Sequence, residues 1–167
     1  LGNPFDVDAV KALCEEHDVL FMADEIQSGL GRSGKLFACD HENVKPDVMI
    51  IGKALSGGCY PVSAVLASAD ILSVFRPGDH GSTYGGNPLA CAVAREAMKV
   101  LVEENLIENS ARLGAYFQEK LRAIASPFVQ EVRGKGLFIG VELKHDAGGA
   151  RRFCEALMRA GLLCKET

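Results

Sequence analysis

The chain has 167 residues, with 18 lysines and arginines against 22 aspartates and glutamates for a formal charge of −4, and it is 48% apolar and 24% charged. That balance suits a globular fold and leaves no basic footprint for nucleic acid and no polybasic face for an anionic membrane. No apolar run reaches the ~18 residues of a spanning helix, and the opening Leu-Gly-Asn-Pro lacks the blocks of a secretion signal, so a cytosolic or organelle-matrix setting is expected.

In chain order, Asp6 is placed to cap a helix whose apolar positions Val7, Val10, Leu13 and Cys14 share one face and which ends near His17. Residues 19–23 form a continuous apolar run, the pattern of a strand covered on both faces of a parallel sheet, and it stops at two carboxylates, Asp24 and Glu25. A glycine-rich connection (Gly29, Gly31, Gly34) and a polar segment closed by Pro46 lead to a second apolar strand, residues 48–51. Helix, strand, crossover, strand is the α/β pattern. The second strand delivers Lys53 into a turn of small residues, Ser56, Gly57 and Gly58. An ammonium is costly to bury unpaired, so an apolar strand ending in Gly-Lys hands its lysine to solvent or to chemistry.

Pro61 opens another apolar run, residues 62–67, after a link too short for a parallel crossover, so this strand must return antiparallel. Ser68 caps a short helix through Phe75, which Arg76-Pro77-Gly78 breaks. A polar, glycine-rich loop spans residues 80–87. Asn87-Pro88 then starts a helix to about Glu103, with Leu89, Ala92, Val93, Ala97, Val100 and Leu101 on one side. A second helical pattern, residues 107–124, has Leu113, Tyr116, Phe117, Leu121 and Ile124 as its expected buried stripe, and Ser126-Pro127 ends it. The period then becomes two, with Val129, Val132, Leu137, Ile139, Val141 and Leu143 in strands around Gly134-Lys135-Gly136. A last helix, residues 149–160, closes on Gly161, and residues 162–164 begin another strand. The fold class is therefore α/β, a mostly parallel sheet with one antiparallel strand, joined to a smaller α+β unit.

The six cysteines (14, 39, 59, 91, 154 and 164) show no Cys-x-x-Cys spacing and lie mostly in apolar segments, so they read as reduced core residues. The histidines show no ligand spacing, and no metal is expected. A chain that opens at Leu1 and stops at Thr167 directly after an apolar run reads as a piece of something longer.

Two phosphate-binding patterns overlap in the glycine-rich connection: residues 29–34 match GxGxxG and residues 29–35 match GxxxxGK. Context argues against both. A dinucleotide fingerprint begins at the strand end and opens a helix, whereas residues 24–28 intervene here and the following segment stops before Pro46; the hydroxyl that a P-loop needs after its lysine is replaced by Leu36. A surface turn is the expectation.

Asp24 and Lys53 form a stronger constellation. Each stands at a strand end, one α/β unit apart, so in parallel strands both emerge at the carboxyl edge of the sheet, where α/β sites lie. The pair fits an ion pair alone. It also matches what a pyridoxal phosphate enzyme needs, a lysine to join the cofactor's aldehyde and an acid to keep its ring nitrogen protonated, although spacing alone favours the ion pair.

The segments ADEIQSGLGRSG (23–34), KPDVMIIGKALSGG (45–58), YPVSAVLAS (60–68) and GDHGSTYGGNPLAC (78–91) resemble, in order and spacing, the class III (subgroup II) aminotransferases of fold type I, and the likeness runs over nearly the whole chain. Within the class, GKALSGGCYPVSAVLAS, HGSTYGGNPLA and VRGKGLF (132–138) most resemble its ornithine-using branch. The resemblance implies pyridoxal 5'-phosphate as cofactor, with Lys53 forming the Schiff base, Asp24 pairing with the ring nitrogen and Gln27 bonding near the ring's phenolic oxygen. It implies that Thr83, with Ser82 beside it, reaches the phosphate of the neighbouring subunit's cofactor, making the protein a homodimer. Gln27 as a cap of its connection and Ser82 as a residue ordering its loop stay open as alternatives. Glu25, Arg32, His80 and Tyr84 are expected to be solvated or structural.

The implied partners are small amino-acid and 2-oxo-acid substrates: the terminal amine of ornithine would pass to 2-oxoglutarate, giving glutamate semialdehyde and glutamate. Acetylornithine or another omega-amino acid, an aminomutase reaction, and an incomplete non-catalytic piece are the alternatives. By the same resemblance, residues 1–87 are part of the cofactor-binding large domain, 88–125 are linking helices, and 126–167 are a truncated C-terminal small domain. The segments that such a subunit uses for phosphate-binding backbone, a ring-stacking aromatic and a C-terminal carboxylate-binding arginine are not in this sequence.

Overall fold

The computed structural model describes residues 6–167. Helix α1 (Val7–Glu16) begins where expected, with Asp6 Oδ1 accepting hydrogen bonds from the backbone N–H groups of Asp8 (3.1 Å) and Ala9 (3.2 Å). Lys11 ties it to the following sheet: its ammonium meets both carboxylate oxygens of Asp47 at 3.1 and 3.0 Å, and Phe21 N donates to Asp47 Oδ2 at 2.8 Å. The Phe21 N–H, then Lys11, hold the Asp47 carboxyl below its ordinary range.

Three strands form the first sheet, β1 (Met22–Asp24), β2 (Val48–Ile51) and β3 (Ala64–Ala67), in the order β1-β2-β3. β1 runs parallel to β2, and β3 returns antiparallel, as its short link requires. The register sets Ala23, Met49 and Leu66 in one row and Asp24, Ile50 and Val65 in the next. Ile51 packs with Leu30 and Leu55 into the core, lined by Met49, Leu36, Phe37, Ala94, Met98 and Leu101. On the opposite face Met22 and Val65 are 62% and 55% exposed. The expected two-sided cover of β1 is thus one-sided, and of the apolar run 19–23 only Met22 and Ala23 pair as strand, which ends at Asp24.

After Ser68, whose Oγ accepts from Ile71 N, α2 (Ala69–Leu72) stops short of the expected Phe75. Asn87 caps α3 (Pro88–Glu103) through Ala90 N at 2.9 Å. Its inward face is carried by Ala90, Ala94, Met98 and Leu101, rotated from the expected stripe, for Leu89 is 59% exposed. α4 (Leu106–Ala123) departs further: it buries Ser110, Gly114 and Gln118 and leaves Tyr116, Phe117 and Ile124 exposed. The reason is a close backbone approach. A Cβ on Gly114 would overlap the carbonyl of Gly136, so only a narrow row of residues four apart fits there.

That carbonyl belongs to the turn of the hairpin β4 (Val129–Lys135) and β5 (Phe138–Leu143), where Lys135 faces Phe138 across the two-residue loop Gly136-Leu137. The polar row is satisfied: Arg122 donates to Gln118 Oε1 (2.9 Å) and to Val132 O. On the hairpin, Arg133 is flanked by Glu131 and Glu142. α5 (Arg151–Arg159) closes through Gly161, with Leu162 N donating to Leu157 O. Residues 162–164 find no partner strand among the described residues and are not a strand; Leu163 is exposed.

Of the cysteines only Cys39 is buried, while Cys59, Cys91 and Cys164 are exposed, so the expected core role holds for one of them and fails for these three; none is in a disulfide. Apolar sequence neighbours do not bury a residue when the helix face it occupies has no cover. Among the described residues no helix is long and apolar enough to cross a membrane, and no cluster of metal-ligating side chains occurs.

Candidate active site

Lys53 is positioned by its backbone. Gly52 ends β2 in an extended conformation, and Lys53 then turns into the left-handed region at φ +46° to begin a one-turn 3-10 helix, Lys53–Ser56, that closes on Gly57 at φ +59°. A left-handed non-glycine residue costs ~1–2 kcal/mol. Leu55, packed in the core, and Ser56, whose buried Oγ donates to Lys53 O at 3.3 Å, hold the turn below. The lysine is thereby kept exposed, on the wall of a cavity of about 1390 Å³ that also presents Gln27, Arg32, Cys59, Glu96 and Leu101.

Asp24 ends β1 and pairs in register with Ile50, just before the Gly52-Lys53 turn, so both predicted site residues stand at the same carboxyl edge of a parallel pair. The two residues border different cavities. Gln27 lines the cavity of Lys53, whereas Asp24 lines a smaller one of about 280 Å³ with Glu25, Ser28, Cys39 and His41. Asp24 Oδ1 accepts from Ile26 N at 3.1 Å. Ser82 and Thr83 sit on the exposed loop before α3, away from both cavities; Ser82 Oγ accepts from Gly85 N at 2.9 Å and so orders that loop.

The glycine-rich connection is not a surface turn. Leu30 is 5% and Ser33 3% exposed, and Gly31 and Gly34, at φ +89° and +83°, lie against Ile107 and Ala111 of α4. Arg32 O accepts from Leu137 N (2.9 Å) and from Ser110 Oγ (3.0 Å), fastening the wall of the lysine cavity to both α4 and the hairpin turn. Side chains from those elements fill the space that a phosphate pattern would have needed.

For Glu25 the sequence left a solvated and a structural role open, and here it is a fixed part of this region. It is 2% exposed, and its carboxylate accepts from Ser28 Oγ at 2.5 Å and Cys39 N at 2.9 Å. Burial, and then the Glu25 carboxylate, push the Cys39 thiol up to about 12. One signal was available: strand alternation requires adjacent acids at a strand end to face opposite ways, so one of Asp24 and Glu25 had to point inward.

The α/β sheet thus presents a lysine and a carboxylate together at its carboxyl edge. Residues 5–167 match the family model of the class-III aminotransferases, and the chain belongs to that family. It is 62% identical over 159 residues to ornithine aminotransferase 2 of Staphylococcus aureus, an alignment that takes in 95% of this chain and 39% of the relative. Among solved structures, the ornithine aminotransferase of Toxoplasma gondii superposes with a TM-score of 0.93 at 45% identity, over 99% of this chain and 40% of that one. The acetylornithine aminotransferase of Elizabethkingia anophelis gives a TM-score of 0.89 at 47% identity, over 96% and 41%. The chain thus spans about two fifths of the length of these relatives, and its fold is the corresponding part of the aminotransferase fold.

Proposed function

We propose that this chain carries the lysine-bearing part of a pyridoxal 5'-phosphate-dependent aminotransferase that moves the terminal amine of ornithine to 2-oxoglutarate. The observation that carries the reading is Lys53: one exposed amine, held by a strained turn at the carboxyl edge of a parallel strand pair, facing a roomy cavity. The residues fit the cofactor. A primary amine is available for its aldehyde, Asp24 supplies a carboxylate at the same edge, and beside Lys53 the backbone at Gly58 is open, since a Cβ there would meet nothing within 4 Å.

When bound, the cofactor supplies an aldehyde for amine exchange and a ring that takes up electrons from the substrate carbon. The chain's own residues then have separable tasks. Lys53 Nζ holds the cofactor at rest and, once free and neutral, carries a proton to and from the reacting carbon. The Asp24 carboxylate accepts a hydrogen bond from the ring nitrogen and keeps it protonated. Gln27 donates to the ring's phenolic oxygen. Thr83, with Ser82, serves the cofactor phosphate of a second subunit, which makes the working unit a homodimer. Residues 1–87 belong to the cofactor-binding domain, 88–125 link it, and 126–167 belong to the smaller domain.

Ornithine is preferred as donor because the S. aureus and T. gondii relatives carry that name, while the acetylornithine enzyme of E. anophelis supports the second reading. The test is a titration of the purified protein with pyridoxal 5'-phosphate, followed by visible absorbance, and then addition of ornithine or acetylornithine. The expected result is a visible band lost in Lys53→Ala and bleached by ornithine. A band that survives in Lys53→Ala removes the lysine from this role, and bleaching by acetylornithine alone reassigns the donor.

A further inference from the structure

A buried carboxylate without a cation is an uncommon arrangement, because desolvation costs several kcal/mol unless hydrogen bonds replace the lost water. Glu25 is 2% exposed and makes no ion pair among the described residues. It is instead fastened at four points. Its N–H donates to Ile50 O of β2 at 2.9 Å, its carbonyl accepts from Gly29 N at 2.9 Å, and its carboxylate takes Ser28 Oγ and Cys39 N. Gly29 is bound to this geometry, for a Cβ there would come within 2.8 Å of Glu25 O.

These four bonds enclose the turn that carries both acid and amide of the candidate site. Asp24 precedes Glu25 directly, and Gln27 lies inside the loop closed between Glu25 and Ser28. Asp24 borders the smaller cavity and Gln27 the cavity of Lys53, and Glu25 anchors the backbone between them. A hydrophobic residue of similar size would fill the same space without the desolvation cost, but it would leave the turn unfastened at Ser28 and Cys39.

We propose that Glu25 is a positioning residue of the site: its buried carboxylate, clamped by Ser28 and Cys39, fixes the backbone turn from which Asp24 and Gln27 project. This rests on the cofactor reading above, so the experiment separates the two. Glu25→Ala and Glu25→Gln are titrated with pyridoxal 5'-phosphate beside wild type and beside Val132→Ala, a buried change on β4 that lowers stability away from the site. Amide hydrogen exchange is measured on the same proteins without cofactor.

Glu25→Ala is expected to weaken cofactor affinity about tenfold, as a displaced Asp24 loses its charged hydrogen bond to the ring, and to shift the visible maximum. Glu25→Gln, which keeps an acceptor for Cys39 N, restores the band position, and Val132→Ala leaves affinity and band unchanged. Without cofactor, exchange at Ile26 and Gln27 quickens in Glu25→Ala while β2 stays protected. Equal affinities, bands and exchange in Glu25→Ala and Val132→Ala overturn the proposal. Should Glu25→Ala not fold, Ser28→Ala removes one clamp alone; weaker binding and faster Gln27 exchange support the proposal, and wild-type behaviour overturns it. Absence of a band in wild type overturns the cofactor reading, and the exchange data then decide independently whether Glu25 holds the turn.

Discussion

Cys39 and Cys59 carry the same thiol in opposite settings. Cys39 is buried beside the Glu25 carboxylate and titrates at about 12, whereas Cys59 lies exposed at the cavity of Lys53. The thiolate is the reactive form, so a neutral alkylating agent at pH 8 is expected to label Cys59 within minutes and to leave Cys39 untouched until the protein unfolds, as peptide mass mapping reports. The sign for stability follows. Because the folded pKa lies above the ordinary 9.0, Cys39 favours the folded state fully below pH 9 and loses that contribution as pH rises toward 12. Cys39→Ser should therefore flatten the fall of the melting temperature above pH 9. At this scale Lys53 was legible because an apolar strand has no use for an ammonium. Glu25 was not, because nothing local tells which of two adjacent acids turns inward or what will meet it there.

Helix α4 shows how an element's period can be read correctly and its face wrongly. Its bounds, Leu106–Ala123, fall within a residue of the pattern, yet Tyr116, Phe117 and Ile124 face outward and Ser110, Gly114 and Gln118 face in. Hydrophobicity marks which residues gain from burial, not which face a neighbour can reach. Here the hairpin turn arrives backbone first, and small or hydrogen-bonding residues suit it best. Gly114→Ala is accordingly expected to destabilise by about 3 kcal/mol through overlap with the Gly136 backbone, measured by urea unfolding, while an exposed Ala115→Gly change costs only ~1 kcal/mol of helix propensity. Equal effects would show that the turn yields to the added methyl. The helix starts at Asp6, Ser68 and Asn87 were legible, since a cap is a local bond made within three residues.

Across the whole molecule, apolar surface is unevenly covered. One face of the first sheet packs on Leu30, Leu55 and α3, and the other leaves Met22 and Val65 more than half exposed, with Val74 and Phe75 exposed nearby in sequence. Exposed apolar side chains of this kind bind hydrophobic dyes and promote association. The paired substitution Met22→Ser and Val65→Thr should cut dye fluorescence of the 167-residue chain at least twofold and shift its melting temperature by no more than a few degrees, as exposed positions allow. A large loss of stability instead would mean that this face is covered in solution.

The amino-acid sequence by itself determined the helix starts at Asp6, Ser68 and Asn87, the parallel and antiparallel sense of the three strands, the presence of a strand pair near residue 135 and the lysine at the sheet's edge. Each depends on a short-range rule: a capping side chain, the length of a link, a period of two, or the cost of burying an ammonium. Tertiary structure alone decided which face of α3 and α4 is buried, that the glycine-rich connection is packed under α4, and that Glu25 is clamped between the candidate residues Asp24 and Gln27. Those depend on approaches between segments far apart in the chain, such as Arg32 O with Ser110 Oγ and Leu137 N, or Glu25 with Cys39 N. No local pattern encodes such distances, because they arise only when separate elements share one core.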